Sequence, residues 1–263
     1  MSDLTARFRD LHASGCFVIP NPWDIGSAKV LAQLGFPALA TTSSGFAWSI
    51  GRQDNHVALD EALAHFRAVS AAVDVPVNAD FEGGFAVAPE EVAKNVAAAS
   101  ATGIAGLSIE DSTGDAAHPL FDFELAVERV RAARAATGLV LVARCEAYLT
   151  GRPDLDEVLR RLAAYAEAGA DCLYAPGVRS LGEIGTIVKA VAPKPVNVLV
   201  GSGFTTLAEL RDLGVRRISV GGALARAAWS GFLAAAEEIA KEGTFTALGK
   251  AIPFADINGR FAD

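Results

Sequence analysis

Eight short apolar runs rich in β-branched residues recur along this chain, each followed by a polar or glycine-containing turn and an alanine-rich stretch of helical periodicity. The predicted strands span residues 17–21, 38–43, 77–82, 107–111, 139–146, 172–176, 196–200 and 217–222. Apolar strands joined by crossover helices are typical of a parallel sheet, and eight such units predict an α/β fold, a closed (β/α)8 barrel of the TIM type. The alternative is an open doubly wound sheet, but GSGFTT at residues 201–206 does not satisfy its G-x-G-x-x-G motif.

The chain length of 263 residues fits one such barrel, since these barrels commonly fill about 250 residues. No linker or charge block divides the sequence, so we predict one domain over residues 1–263. A strongly helical extension follows the eighth strand, from about residue 223 to residue 263. It carries Trp229 and Phe232, and it either caps the barrel or packs on a neighbouring subunit.

The composition excludes several classes of protein. Hydrophobic residues make up 51% of the chain and charged residues 21%, which is too apolar for a disordered protein. The net charge of -8 argues against a nucleic-acid partner. Three cysteines without C-x-x-C spacing favour a reducing compartment over a disulfide framework or a zinc site. Because the amino terminus lacks a secretory signal and no apolar run reaches about 18 residues, we expect a cytoplasmic protein without a membrane partner.

Polar side chains concentrate at the carboxyl ends of the predicted strands, where α/β barrels carry their active sites. They are Ser44 after strand two, Asn78, Asp80 and Glu82 on strand three, Glu110 and Asp111 on strand four, Arg144 and Glu146 on strand five, Tyr174 on strand six and Asn197 on strand seven. Converging carboxylates repel each other unless a cation is present, so the pattern predicts a metal. Oxygen ligands favour Mg²⁺ or Mn²⁺ over zinc.

Arg144 is the natural partner of an anionic substrate, because its planar fork binds a carboxylate at two points. The alternative is that Glu110, Arg144 and Glu146 form an internal ion-pair network that only holds the barrel together. Glu82 precedes two glycines, which places it in a turn and favours a supporting contact over metal ligation. Because Glu110 and Asp111 are adjacent, only one of them can face inward on a regular strand.

At these residues the sequence resembles the isocitrate lyase and phosphoenolpyruvate mutase superfamily. The matching segments are NPWDIGSAKVLAQLGFPALATTSSGFAWSIGRQD, VNADFEGGF, SIEDS, VARCEAYLTGRPDLDEVLRRLAAYAEAGAD and LYAPG, in order between residues 17 and 178. The resemblance implies a Mg²⁺-dependent enzyme that binds a 2-oxo acid and makes or breaks the bond beside an enolate. It also implies a homodimer or homotetramer in which a terminal helix is exchanged between subunits.

The resemblance assigns roles to two loops. Ser44, Gly45 and Phe46 match the loop whose backbone amides hold the substrate carboxylate. Asp54, in the sequence GRQD, matches an active-site carboxylate of the mutase branch.

The resemblance also implies a metal site and a catalytic arginine. Asp80 and Glu110 match the metal-binding carboxylates, and Arg144 matches the substrate-binding arginine. Together with Asp54, Glu110 and Arg144 form the implied catalytic set. Asn78 stands where many members carry the first aspartate of D-x-D, which lowers the negative charge at the metal.

A second departure concerns the loop after strand four, where the isocitrate and methylisocitrate lyases carry the cysteine that donates a proton. Here it reads EDSTGDAAHPLFDFE and contains neither cysteine nor lysine. His118, Tyr148 or Asp111 could supply a proton, although none has the family motif around it. His65 falls within a predicted helix, where a surface position is the default.

We therefore predict a Mg²⁺-dependent carbon–carbon lyase acting on a small 2-oxo or 2-hydroxy carboxylic acid. Decarboxylation of an oxaloacetate-like substrate is favoured, because CO₂ leaves as a neutral molecule and needs no acid on the departing fragment. One alternative is a carbon–phosphorus enzyme similar to phosphonopyruvate hydrolase or mutase. Another is a protein that binds 2-oxo acids without catalysis.

Overall fold

Eight parallel strands form the predicted barrel in the computed structural model, which describes residues 3–262. The strands are β1 (Phe17–Ile19), β2 (Leu39–Ala40), β3 (Val77–Asp80), β4 (Gly106–Glu110), β5 (Val140–Arg144), β6 (Cys172–Tyr174), β7 (Val196–Leu199) and β8 (Arg217–Ser219). The hydrogen-bonded order is β1-β8-β7-β6-β5-β4-β3-β2. The amide of Ala40 donates to the carbonyl of Pro20 at 3.1 Å, so that the barrel is nearly closed. The (β/α)8 prediction is confirmed.

Helices alternate with the strands along the chain. They are α1 (Asp3–Ala13), α2 (Ile25–Gln33), α3 (Ser43–Ser49), α4 (Leu59–Ala71), α5 (Pro89–Ser100), α6 (Phe123–Ala136), α7 (Leu155–Glu167), α8 (Leu181–Ala190), α9 (Leu207–Asp212), α10 (Ala223–Glu242) and α11 (Phe254–Gly259), with a 3-10 helix at Thr246–Lys250. Side-chain caps start several of them; the Asp154 carboxylate, for example, accepts from the amide of Glu157 at the start of α7. Helices α1 and α3 were not predicted, whereas α10 and α11 fall within the predicted carboxyl-terminal helical extension.

The predicted strands begin within one residue of the observed ones but run too far at their carboxyl ends. Residues 38–43 were predicted for β2, yet the strand ends at Ala40 because Thr42 already caps α3. Residues 139–146 were predicted for β5, which ends at Arg144. Glu82 lies in a turn with a φ of 47°, as expected from the two glycines that follow it. The polar strand ends therefore leave the hydrogen-bond ladder and enter the mouth of the barrel.

Two apolar cores surround the strands, one between the sheet and the helices and one inside the barrel. The inner core includes Phe8 of α1, which is fully buried together with Phe17 and Val142. Gly106 makes this close approach possible, because a Cβ atom there would lie 2.6 Å from the ring of Phe8. Helix α1 thus closes the barrel at the amino ends of the strands.

The carboxyl-terminal segment, residues 223–262, leaves many apolar side chains exposed, including Phe232 (60%) and Phe254 (81%). It also returns to the barrel, since Gln33 Nε2 donates to the carbonyl of Arg260 at 2.6 Å. Residues 1 and 263, the limits of the predicted domain, lie outside the described residues. Among residues 3–262, no helix is both long and apolar enough to cross a membrane.

Candidate active site

A polar cavity of about 180 Å³ opens at the carboxyl ends of the strands. Of the predicted site residues, it is lined by Ser44, Asp54, Asn78, Asp80 and Arg144. Ser108, Tyr174, Arg217 and Ser219 also line it. The cavity therefore brings together side chains from strands on opposite sides of the barrel.

Arg144, the last residue of β5, contacts three carboxylates. Its Nη1 lies 2.7 Å from Asp80 Oδ1, its Nη2 lies 3.0 Å from Glu110 Oε2, and its Nε lies 2.8 Å from Glu146 Oε1. The three acids come from β3, β4 and the residues just after β5, which meet because parallel strands end at one face of the barrel. One guanidinium cannot neutralise three carboxylates, so the cluster carries excess negative charge.

The pKa values of the neighbouring acids reflect that excess. Burial raises the pKa of Glu110 well above its ordinary value, although Arg144 opposes this, and repulsion from Glu146 adds to it. Burial likewise raises the pKa of Glu146 against the attraction of Arg144. Burial, followed by repulsion from Asp80, raises the pKa of Glu82 to about 8. These acids would hold their charge more readily beside an additional cation.

The donor set fits a hard divalent ion. Asp80 and Glu110 offer oxygen ligands, which Mg²⁺ prefers, and the excess of negative charge favours a cation at this point. Within residues 3–262, no three side chains of histidine, cysteine, aspartate or glutamate are arranged around a common metal position.

Backbone and hydroxyl groups hold Asp80 at the cavity wall. Its Oδ2 accepts from the amide of Ser43 at 3.0 Å, and its own amide donates to Thr41 Oγ1 at 2.9 Å. Ser108 Oγ lies 3.5 Å from Asp80 Oδ1. Asp80 is therefore fixed from both neighbouring strands, β2 and β4, and its orientation toward Arg144 is set by the sheet.

The loop predicted to bind the substrate carboxylate is the start of helix α3. The amide of Gly45 donates to Thr42 Oγ1 at 3.4 Å, and the amide of Phe46 donates to the carbonyl of Thr42 at 3.1 Å. Both amides thus have partners within the helix, and only Ser44 of the three predicted residues lines the cavity. Gly45 instead allows close packing, since a Cβ atom there would lie 2.9 Å from the Cβ of Trp23.

His65 is buried, and its predicted surface position was wrong. Its side chain is 8% exposed, and its ring stacks on Phe46 with 3.9 Å between the ring centroids. Burial lowers the pKa of His65 to about 4, so the ring is neutral at physiological pH. The helical pattern of α4 did not reveal this contact, because its partner lies on another helix.

Asp111 points away from the cavity toward helix α7, while Glu110 points toward Arg144, as the alternation of strand residues requires. Asp111 Oδ1 accepts from the amide of Glu146 at 2.8 Å. Its Oδ2 accepts from Tyr165 Oη at 2.6 Å and from Arg161 Nη1 at 3.1 Å. Asp111 thus links the end of β4 to helix α7 and holds the backbone of Glu146.

The other predicted candidates lie away from the carboxylate cluster. Burial, and then a hydrogen bond to Glu183, raises the pKa of Tyr148 to about 12, and its hydroxyl therefore faces helix α8. His118 is an exposed loop residue that does not line the cavity. Asn197 lies inside the barrel, where its Nδ2 donates to Ser219 Oγ at 2.9 Å.

Arg217 lines the cavity but was not predicted as a site residue. It begins β8, far from the carboxyl end where site residues were sought, yet its Nη1 reaches across the barrel to Asn78 Oδ1 at 3.3 Å. The signal in the sequence is a charged residue at an inward-facing position of an apolar strand. Such a residue is rarely buried unless it has a partner.

Comparison with known proteins places this chain in a family. The sequence profile of the family described as Phosphoenolpyruvate phosphomutase matches residues 8–240. A solved structure from Burkholderia cenocepacia J2315, described as a lyase/mutase, superposes with a TM-score of 0.95 at 49% identity, covering 99% of this chain and 96% of that one. A phosphonopyruvate hydrolase solved with oxalate and Mg²⁺ superposes with a TM-score of 0.84 at 26% identity, covering 98% and 95% of the two chains.

Two similar enzymes have named activities. A 2,3-dimethylmalate lyase of Eubacterium barkeri is 30% identical over 224 residues, which are 80% of this chain and 76% of that protein. An oxaloacetate decarboxylase of Pseudomonas aeruginosa (strain UCBPP-PA14) is 30% identical over 198 residues, which are 71% of this chain and 68% of that protein. With its barrel and the matched profile, this chain belongs to the phosphoenolpyruvate phosphomutase family, within the phosphoenolpyruvate mutase and isocitrate lyase superfamily.

Proposed function

We propose that this protein is a Mg²⁺-dependent carbon–carbon lyase that cleaves or decarboxylates a small, oxaloacetate-like 2-oxo or 2-hydroxy acid. The observation that carries this proposal is the cluster of Arg144 with Asp80, Glu110 and Glu146 at the cavity wall. It combines a fixed cation for an anionic substrate with oxygen ligands for a metal. The similarity to lyases and decarboxylases supports the reaction class.

Within this proposal, the residues of the cavity bind and orient the substrate. Arg144 attracts the negative charge that develops on the substrate oxygen as the enolate forms, and its fixed position means that no reorganisation is needed. Ser44 faces the same space and would contact the substrate carboxylate. Asp80 and Glu110 would hold the metal, which when bound polarises the substrate carbonyl.

Decarboxylation is favoured over cleavage of a tricarboxylate because none of the three predicted proton donors, His118, Tyr148 and Asp111, lines the cavity. The loop at residues 110–124 has neither cysteine nor lysine. Tyr148 faces Glu183, and His118 is exposed away from the cavity. Loss of CO₂ places no such demand on the protein, because CO₂ departs as a neutral molecule.

Asp54 favours one alternative, carbon–phosphorus chemistry. It lines the cavity, and burial followed by repulsion from Asp80 raises its pKa. Asp54 matches a carboxylate of the mutase branch, and the phosphonopyruvate hydrolase is a structural neighbour. Phosphonopyruvate therefore belongs among the substrates to be tested.

Release of pyruvate, or of glyoxylate in the case of isocitrate, tests the proposal with Mg²⁺ across oxaloacetate, 2-methylisocitrate, isocitrate, 2,3-dimethylmalate and phosphonopyruvate. Turnover of oxaloacetate that is lost in Asp80→Ala and kept in Asp122→Asn would support it. Asp122 is an exposed acid outside the cavity, which makes it a matched control. Turnover of phosphonopyruvate alone would favour carbon–phosphorus chemistry, and binding of 2-oxo acids without turnover would favour a binding protein.

We also propose that the carboxyl-terminal segment covers a neighbouring subunit in a homodimer or homotetramer. Exposed aromatic side chains such as Phe232 and Phe254 support this, because monomers rarely leave a large apolar patch uncovered. Light scattering tests the assembly: a monomer would contradict it, and Phe232→Glu should shift an oligomer toward smaller species.

A further inference from the structure

We propose that Arg217 forms an anion subsite at the inner end of the cavity. This subsite binds a second acidic group of the ligand, so that the protein selects short dicarboxylates over monocarboxylates. The inference rests on the proposed function only for the first acidic group, which Arg144 and Ser44 would bind.

Arg217 is a buried cation without a matching anion. Its side chain lines the cavity, yet the residue is only 2% exposed. Among residues 3–262, no carboxylate lies within 4.0 Å of its guanidinium nitrogens. Its one hydrogen bond joins Nη1 to Asn78 Oδ1 at 3.3 Å, and its Nε is buried without a partner.

The other buried arginines are satisfied by the protein itself. Arg144 contacts three carboxylates, and Arg161 contacts Asp111 and the carboxylate of Glu157. Arg129 donates to the carbonyl groups at the turn after β3 and the start of α5. Within the described part of the chain, Arg217 is therefore the buried guanidinium whose hydrogen-bonding capacity is least used.

The surroundings of Arg217 admit a ligand only from the cavity. The ring of Phe8 lies beneath it, with 5.8 Å between the guanidinium carbon and the ring centroid, and closes the amino end of the barrel. On the cavity side stand the hydroxyl groups of Ser219 and Tyr174, which lie 3.4 Å apart. A guanidinium and two hydroxyl groups can all donate hydrogen bonds to a carboxylate.

Asn78 keeps this subsite available. An aspartate at position 78 would place a carboxylate where the amide oxygen now accepts from Arg217, and the resulting buried ion pair would neutralise the guanidinium. With asparagine at this position, the positive charge of Arg217 remains open to a ligand.

The unpaired charge also predicts an effect on stability. Burying a cation without an anion is unfavourable, so replacing Arg217 by methionine, which is similar in length, should raise the melting temperature of the free protein. A residue needed only for the fold would have the opposite effect. Retention of a destabilising charge is typical of a functional site.

Calorimetric titration in the presence of Mg²⁺, with malate and lactate as probes and product analysis to establish that neither is cleaved, tests the subsite. These 2-hydroxy acids differ by the second carboxylate. We expect the wild type to bind malate at least about tenfold more tightly than lactate, the gain typical of a hydrogen bond to a charged group. Arg217→Met should abolish the preference for malate over lactate by weakening malate binding alone. Asn78→Asp should reduce the same preference. Arg216→Met is the matched control, because Arg216 points out of the barrel to the carbonyl of Gly15.

Several results would overturn the inference. They are a wild type that binds neither probe or both equally, an equal loss of both probes in Arg217→Met, or a lower melting temperature in that variant. The proposed function fails separately. If malate binding depends on Arg217 but neither pyruvate nor glyoxylate is released from any of the five substrates, the subsite stands and the lyase assignment does not.

Discussion

Replacing Asp111 by alanine should destabilise the fold strongly, although Asp111 does not face the cavity. Its carboxylate is 3% exposed and accepts hydrogen bonds from Tyr165, Arg161 and the amide of Glu146. Alanine would leave all three donors without this acceptor and would remove the buried partner of Arg161. Breaking a buried pair in this way costs about 3–5 kcal/mol, so we expect the free energy of unfolding to fall by about 4 kcal/mol.

Two further variants separate the contributions to this loss. Tyr165→Phe removes one donor to a charged acceptor and should cost about 1.5–3 kcal/mol. The double variant Asp111→Ala with Arg161→Met should cost at least about 1 kcal/mol less than the sum of its single variants, because no guanidinium is then left without its buried partner.

Urea denaturation followed by circular dichroism measures all of these free energies. A loss of less than about 1 kcal/mol for Asp111→Ala would refute the argument that this carboxylate is a buried anchor. An additive double-variant cycle would refute the coupling between Asp111 and Arg161. Asp111→Ala should also impair activity, because Asp111 holds the backbone of Glu146 beside Arg144.

Acidification should weaken the fold, because burial is the largest cause lowering the pKa of both His12 and His65 to about 4. Unfolded histidines take up protons below about pH 6.5 while the folded ones do not, so stability falls by about 2 kcal/mol per histidine between pH 7 and pH 5. Urea titrations at each pH check this, and a flat profile would contradict it. Gly45→Ala should cost about 1–3 kcal/mol, since its Cβ would lie 2.7 Å from Thr42 Cγ2. Gly138→Ala, with nothing within 4 Å of the added atom, is the control, and equal losses by urea denaturation would show that crowding is not the cause.

The barrel and part of its mouth could be predicted from local patterns. Strand and helix periodicity depends on residues near each other in the chain, so all eight strands were found within one residue of their starts. The alternation of side chains along a strand likewise predicted that only one of Glu110 and Asp111 faces inward, and the structure shows that it is Glu110, which contacts Arg144. The predicted positions of the carboxyl ends of the strands were less accurate, because the chain leaves the hydrogen-bond ladder there to form the cavity.

Contacts between distant segments could not be predicted in this way. Arg217 meets Asn78 across 139 positions of sequence, and His65 meets Phe46 from a different helix. Such contacts depend on how the sheet closes and how the helices pack, which no short stretch of sequence records. The sequence by itself therefore determined the order of strands and helices and the acids at the strand ends. Only the tertiary structure decided which charges are neutralised. The paired side chains come from different strands, and they meet only when the closed barrel brings those strands around one interior.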